Sequence, residues 1–211
     1  MALLSLFENN YEKTLMWVLI GVFLDSFDGL VARAFRATTE IGKQLDSLCD
    51  VISFGVVPGY FMYKYLSDFL SYELVPLSLS AFIVTLASIF RLARFNITPS
   101  SQLDFQGLPT PAFALFVIGI PFIPYEINPI IITVIVALLT VLMVSKIMLP
   151  SQKFVNGKPS NFFWIFAVVA IPVLLIFRSQ ALSLTVLTYA FFGMLYICLL
   201  YTSDAADDSY R

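Results

Sequence analysis

Long, almost uninterrupted apolar stretches alternate with short polar ones along this chain. The apolar runs cover residues 12–35, 42–66, 73–95, 110–124, 127–148, 161–177 and 180–201. Each is near the ~20 residues that an α-helix needs to cross a bilayer. They lack the two-residue alternation of barrel strands, so the pattern predicts an all-α, polytopic transmembrane bundle of about seven spans. The run 110–124 is short and carries Pro111, Pro121 and Pro124. Pro58, with Gly55 and Gly59, is expected to break or kink the second span near its far end, and Pro76 and Pro172 to act locally in theirs. Residues 1–11 are too short to span and lack the basic start and cleavage site of a signal peptide, so they read as the closing turns of a preceding helix. Residues 1–201 read as one transmembrane domain. Residues 202–211, small and acidic, read as a disordered or non-native tail. Residues 150–160 read as a short polar loop.

Composition agrees with the pattern. Of 211 residues, 59% are hydrophobic and 12% charged, with a mean hydropathy of +0.89; no soluble domain needs so much apolar surface. The net charge of −2 says little in a membrane protein, and no nucleic-acid partner is implied. There is no histidine, which excludes His-ligated metals and every Ser-His or Cys-His mechanism. Cys49 and Cys198 both fall inside predicted spans, which implies no disulfide framework. Without a histidine to activate it, Cys49 reads as a small packing residue.

The distribution of basic residues sets an orientation. If the Arg33 end of the first span is cytoplasmic, then Arg33, Arg36, Lys43, Arg91, Arg94, Lys146, Lys153 and Lys158 face the cytoplasm, and Lys13, Lys64 and Arg178 the other side. Eight against three obeys the positive-inside rule.

Against this background the carboxylates near that cytoplasmic end stand out. Asp25 and Asp28 are spaced i, i+3 on the first span; Asp46 and Asp50 are spaced i, i+4 on the second. Each pair lies on one helix face. At ~1.5 Å per residue, Asp28 and Asp25 lie roughly 7 and 12 Å before Arg33, and Asp46 and Asp50 roughly 6 and 12 Å beyond Gly42. The short connection makes the two helices antiparallel neighbours, so Asp28 is expected level with Asp46 and Asp25 with Asp50. Four acids converging in a low-dielectric site cannot all ionise without a cation, and Arg33 alone is too little. An all-oxygen donor set favours a hard divalent ion, Mg²⁺, Mn²⁺ or Ca²⁺. At the same membrane side, Arg91 and Arg94 share a helix face near Asn96. They read either as anchors that snorkel to lipid phosphates or as a fork for a substrate carboxylate or phosphate, and Asn96 beside them favours the fork.

The pattern D-x2-D-G-x2-A-R-x8-G-x3-D-x3-D is matched at Asp25, Asp28, Gly29, Ala32, Arg33, Gly42, Asp46 and Asp50. It resembles the signature of the CDP-alcohol phosphotransferases, integral membrane enzymes of phospholipid synthesis. The flanks, Leu45 to Pro58, Arg91 to Asn96, Gly107 to Pro111 and Met143 to Ser145, resemble the branch that transfers a phosphatidyl group from CDP-diacylglycerol to L-serine. The resemblance covers roughly residues 12–200, and the chain departs from it in having at most the final turns of a preceding helix.

The resemblance implies that Asp25, Asp28 and Asp46 ligate a divalent pair, Mg²⁺ or Mn²⁺, with Asp50 at the second metal and as general base toward the serine hydroxyl. A two-cation clamp suits the charge that develops on the phosphoryl oxygens and departing CMP. Gly29, Ala32, Arg33 and Gly42 are the candidates for CDP-diacylglycerol. Gly29, Ala32 and Gly42 equally suit tight helix packing, and Arg33 a helix-end anchor. Arg91 and Arg94 are the candidates for the serine carboxylate, with Asn96 and Ser53 as helpers. A homodimer in the cell membrane with its site facing the cytoplasm is implied as well. Two other readings compete: another alcohol acceptor (glycerol 3-phosphate, inositol phosphate or choline), and an ion-coupled transporter. Transporters often carry inverted repeats and acids near the midplane, whereas here no repeat is visible and the acids cluster toward one side.

Overall fold

The computed structural model describes residues 1–34, 39–70, 72–97, 107–123, 125, 127–147, 154–155, 158–159 and 183–193, with side chains described except at 26, 28–34, 72–76, 154–155 and 158–159. The run 161–177, the tail 202–211, and the side chains of Asp28, Gly29, Ala32 and Arg33 therefore lie outside the described residues. Among these residues the chain is helical apart from one hairpin of two-residue strands. That hairpin pairs β1 (Phe154–Val155) antiparallel with β2 (Lys158–Pro159), within the stretch read as a polar loop.

A short helix α1 (Ala2–Phe7) stops where Asn9 takes a left-handed conformation, φ 59°; asparagine is among the few residues that tolerate it. Asn10 then caps α2 (Tyr11–Ala34), its side chain accepting from the Lys13 amide at 3.0 Å. The Lys64 ammonium donates to Asn9 Oδ1 and to the Leu6 carbonyl, tying the later chain to this turn. Thr39 caps α3 (Glu40–Asp50) by accepting from the Gly42 amide at 3.0 Å.

The chain does not break at Pro58. A π-helical turn, Val51–Val56, links α3 directly to α4 (Val57–Phe69), so one helical run of 30 residues extends from Glu40 to Phe69. Pro58 is the second residue of α4, directly after the π-helical turn, and the wider π register accommodates it inside the continuous run. The next predicted span begins as a 3₁₀ run (Tyr72–Phe82) and turns α-helical only in α5 (Ile83–Ile97).

Small residues bring α5 against that run. A Cβ on Gly59 would overlap Thr85 Oγ1, and one on Gly55 would lie 3.0 Å from Ser88 Cβ. Thr85 Oγ1 donates to the Gly55 carbonyl at 3.1 Å. Close approach of this kind is how helices pack where lipid removes the hydrophobic drive for association.

Helix α6 (Thr110–Gly119) is apolar all round and mostly buried, as a central helix must be. It ends in a 3₁₀ turn, Ile120–Phe122. Asn128 caps α7 (Pro129–Val144), which buries Ile132, Val136, Leu139 and Met143 and exposes Ile130, Ile131, Val134, Leu138 and Val141. A further helix, α8 (Ser183–Gly193), buries Val186 and Tyr189 in the core, and its Ser183 hydroxyl donates to the Phe116 carbonyl of α6 at 2.8 Å.

Exposed apolar residues form bands. Besides that face of α7, they include Met16, Leu19, Phe23 and Phe27 on α2, and Ile83, Leu86 and Phe90 on α5. Water would not leave such surface bare, whereas lipid does. Among the described residues, two runs are long and apolar enough to cross a membrane, Glu40–Phe69 with 30 residues and Leu77–Ile97 with 21; Thr110–Phe122, Pro129–Val144 and Ser183–Gly193 are shorter apolar helices.

Gly107 adopts φ +70°, donates its amide to the Ile147 carbonyl at 2.8 Å, and would drive a Cβ into the carbonyl oxygens of Leu142 and Met143. A side chain there is expected to strain the backbone and push away the end of α7. Gly107→Ala should destabilise the protein by about 2 kcal/mol or more, read as a lowered thermal midpoint in detergent; an unchanged midpoint would refute the contact.

Candidate active site at the aspartate cluster

Helices α2 and α3 carry the acids. Asp25 projects from α2, and Asp46 and Asp50 from successive turns of α3, so that one carboxylate oxygen from each lies within 4.8 Å of the others. Asp25 and Asp50 are half-buried and Asp46 is exposed. Asp28 lies one turn further along the α2 backbone, its side chain outside the described residues. At this separation each pair of like charges repels by roughly 3–4 kcal/mol for an effective dielectric of about 20. Such an arrangement calls for a cation, and three carboxylate oxygens are a fitting donor set for a hard divalent one.

Among the described residues, Arg91 on α5 is a candidate from the chain itself. It is 9% exposed and lies within electrostatic range of Asp50, Arg94 and Tyr189. Its Nη1 donates to Thr110 Oγ1 at 3.3 Å, while its buried Nε has no hydrogen-bond partner among the described residues. A buried donor without a partner costs free energy, which the guanidinium's electrostatic attraction to Asp50 helps to offset.

Arg94, one turn on, is placed differently. Its Nη1 and Nη2 donate to the carbonyls of Val144 and Ser145 at 2.9 and 3.0 Å, and its guanidinium carbon lies 5.9 Å from the centre of the Phe90 ring. These carbonyls belong to the end of α7, where a helix lacks internal donors and favours a cation. The expected two-arginine fork is thus divided: one arginine is buried by the acids, and the other closes a neighbouring helix.

Asn96 is likewise engaged within the fold. Its Nδ2 donates to Ser47 Oγ at 2.9 Å and to Gln44 Oε1 at 3.4 Å, Ser47 Oγ lies 3.2 Å from its Oδ1, and Lys43 Nζ donates to its carbonyl at 3.0 Å. This network fastens the end of α5 to the α3 face beside Asp46. Ser53 is half-buried in the π-helical turn just past Asp50. Gly42 is exposed in the first turn of α3, where a Cβ would lie 3.0 Å from Thr39 Oγ1. The backbone of α2 carries Gly29, Ala32 and Arg33 on the turns beyond Asp28.

Sequence reasoning missed Thr110 and Tyr189 as neighbours of Arg91, and Ser47, Gln44 and Lys43 as partners of Asn96. Thr110 lay inside the Gly107–Pro111 segment without a role. Nothing local marks Tyr189, because only packing brings α8 to α5.

The model of the CDP-alcohol phosphatidyltransferase family matches residues 1–147. The CDP-diacylglycerol–serine O-phosphatidyltransferase of Methanocaldococcus jannaschii is 34% identical over 195 residues, covering 92% of this chain and 86% of that protein. The protein of the same name from Bacillus subtilis is 33% identical over 153 residues, 72% of this chain and 83% of its own. An archaetidylserine synthase of Methanothermobacter thermautotrophicus is 34% identical over 117 residues, 54% of this chain and 48% of that protein. No solved structure matches the chain significantly. The matched segment holds all four aspartates of the motif together with Arg91, Arg94 and Thr110, and the chain belongs to the CDP-alcohol phosphatidyltransferase family.

Proposed function

We propose that this enzyme transfers a phosphatidyl group from CDP-diacylglycerol to the hydroxyl of L-serine, giving phosphatidylserine and CMP. The observation that carries the proposal is the meeting of Asp25, Asp46 and Asp50 within 4.8 Å, with buried Arg91 in electrostatic range of Asp50. Relatives matched over most of this chain are named for that reaction, and a third is named for a different lipid joined to serine, which favours serine over other alcohols.

In this reading Asp25, Asp28, Asp46 and Asp50 hold divalent metal, Mg²⁺ or Mn²⁺ and less aptly Ca²⁺. When bound, such ions neutralise charge developing on the pyrophosphate and stabilise the departing CMP. Gly29, Ala32 and Gly42 leave room for the nucleotide to approach the helices, and Arg33 pairs with its phosphate oxygens. Arg91, in electrostatic range of Asp50, takes the serine carboxylate, with Ser53 of the π-helical turn as helper. Asp50 accepts the proton of the serine hydroxyl as that oxygen attacks phosphorus and the bond to CMP breaks. Asn96 and Arg94 act one step removed, holding α3 and α7 in place. The acyl chains stay in the bilayer, because the acids lie within ~12 Å of the helix ends.

The wider proposal is a single domain of about seven spans over residues 1–201, forming a homodimer in the cell membrane with the aspartate cluster toward the cytoplasm. The bias of Lys and Arg supports that orientation.

A transfer assay in liposomes with CDP-diacylglycerol and labelled serine tests the reaction. CMP release that needs Mg²⁺ or Mn²⁺, stops on chelation and puts label into lipid is expected; label entering only from glycerol 3-phosphate or inositol phosphate would overturn the acceptor.

Asp50→Asn should lower kcat at least a hundredfold while the thermal midpoint in detergent holds, since three carboxylates still bind metal. Turnover near that of the unaltered enzyme would end its assignment as base.

The two arginines should separate in kinetics. Arg91→Ala is expected to raise the KM for serine tenfold or more with little change for CDP-diacylglycerol, whereas Arg94→Ala should chiefly lower the thermal midpoint. A selective serine KM effect from Arg94→Ala alone would reverse these roles.

A further inference from the structure

A cavity of about 440 Å³ opens at the other end of the bundle from the aspartates. Phe61, Tyr65 and Asp68 form one wall, spaced i, i+4, i+7 along α4 and so on one face. Tyr11, the first residue of α2, faces them, and Pro121 and Tyr125 close the sides. Asp68 is some 18 positions beyond Asp50 on one helical run, or roughly 27 Å, and Tyr11 is roughly 21 Å from Asp25 along α2. The cavity is therefore separate from the proposed reaction centre.

Its chemistry is specific. Three tyrosines and a phenylalanine line it; Tyr11 packs edge-on to Phe61 with ring centres 5.9 Å apart, and Phe61 stacks on Tyr65 at 6.1 Å. Asp68 is the acid among its described lining residues, is exposed, and acts electrostatically on Tyr11. A small inorganic cation would leave the ring faces unused, and an anion would meet Asp68. A cation with an apolar skin uses both walls, its charge toward the carboxylate and its methylenes or methyls against the rings.

We propose that this cavity binds an organic ammonium group, of the kind borne by aminophospholipid headgroups and by small free amines. The proposal does not rest on the reaction assigned to the aspartate cluster.

The test uses the full chain in nanodiscs of phosphatidylglycerol, a lipid without an ammonium group. Saturation-transfer NMR with tetramethylammonium and ethanolamine gives dissociation constants, and native mass spectrometry counts phosphatidylethanolamine retained through delipidation. Saturable binding weakened at least fivefold by Asp68→Asn and by Tyr65→Leu, but kept in Asp50→Asn, is expected. Asp68 is exposed, so Asp68→Asn should fold even if Tyr65→Leu does not. Loss confined to the soluble amines would identify a free amine as occupant; loss confined to retained lipid would identify a headgroup. No saturable binding of either kind, or binding indifferent to Asp68→Asn, would overturn the proposal.

Discussion

The close approach of α5 to the long helical run through Gly55 and Gly59 is the constraint on which the site depends. In lipid, two apolar helices gain nothing by hiding from solvent, so they hold together only where their surfaces fit and polar atoms find partners. Gly59 leaves no room for a Cβ beside Thr85, and Thr85 returns a hydrogen bond to the Gly55 carbonyl. Asp50 lies just before that seam on one helix and Arg91 just after it on the other. The Asp50–Arg91 proximity follows from it. The π-helical turn between Val51 and Val56 belongs to the same solution, because it keeps the helix continuous past Pro58 while turning the glycines toward α5.

Charge is the second organising quantity. A membrane helix bears a buried ion only where something offsets it. The acids of α2 and α3 form a donor set suited to a divalent cation, and the guanidinium of Arg91 is buried within electrostatic range of Asp50. Arg94 shows the contrasting solution, since its charge meets the carbonyls that end α7. The two residues are of one type, on one helix, three positions apart, and their surroundings alone distinguish them.

That contrast explains what could be read from the chain by itself. Helix periodicity and spacing were enough to bring Asp25, Asp46 and Asp50 together, because those residues sit on two helices joined by a short connection and the geometry is local. The apolar runs located α2, the Glu40–Phe69 run, α5, α6 and α7 to within a few residues, although the 3₁₀ start before α5 carried no sequence signal. The tasks of Arg94 and Asn96 depended on the end of α7 and the outer face of α3, which are distant in sequence. A proline with two glycines announced a disturbance in the helix, but whether it would be a break or a change of register depended on what α5 offered as a partner.

The glycine seam also accounts for the division of the molecule into two chemically different ends. On one side of it the helical run carries Asp46 and Asp50; on the other it carries Phe61, Tyr65 and Asp68. Acids held within 4.8 Å of one another suit compact, strongly charged partners, whereas aromatic rings around one exposed carboxylate suit a diffuse charge with an apolar coat. A single continuous helical run bears both sets, so a shift of that run along the bilayer normal would carry both. The position of Gly59 under Thr85 therefore sets the depth of both, and a change at that one contact would be felt at each end of the bundle.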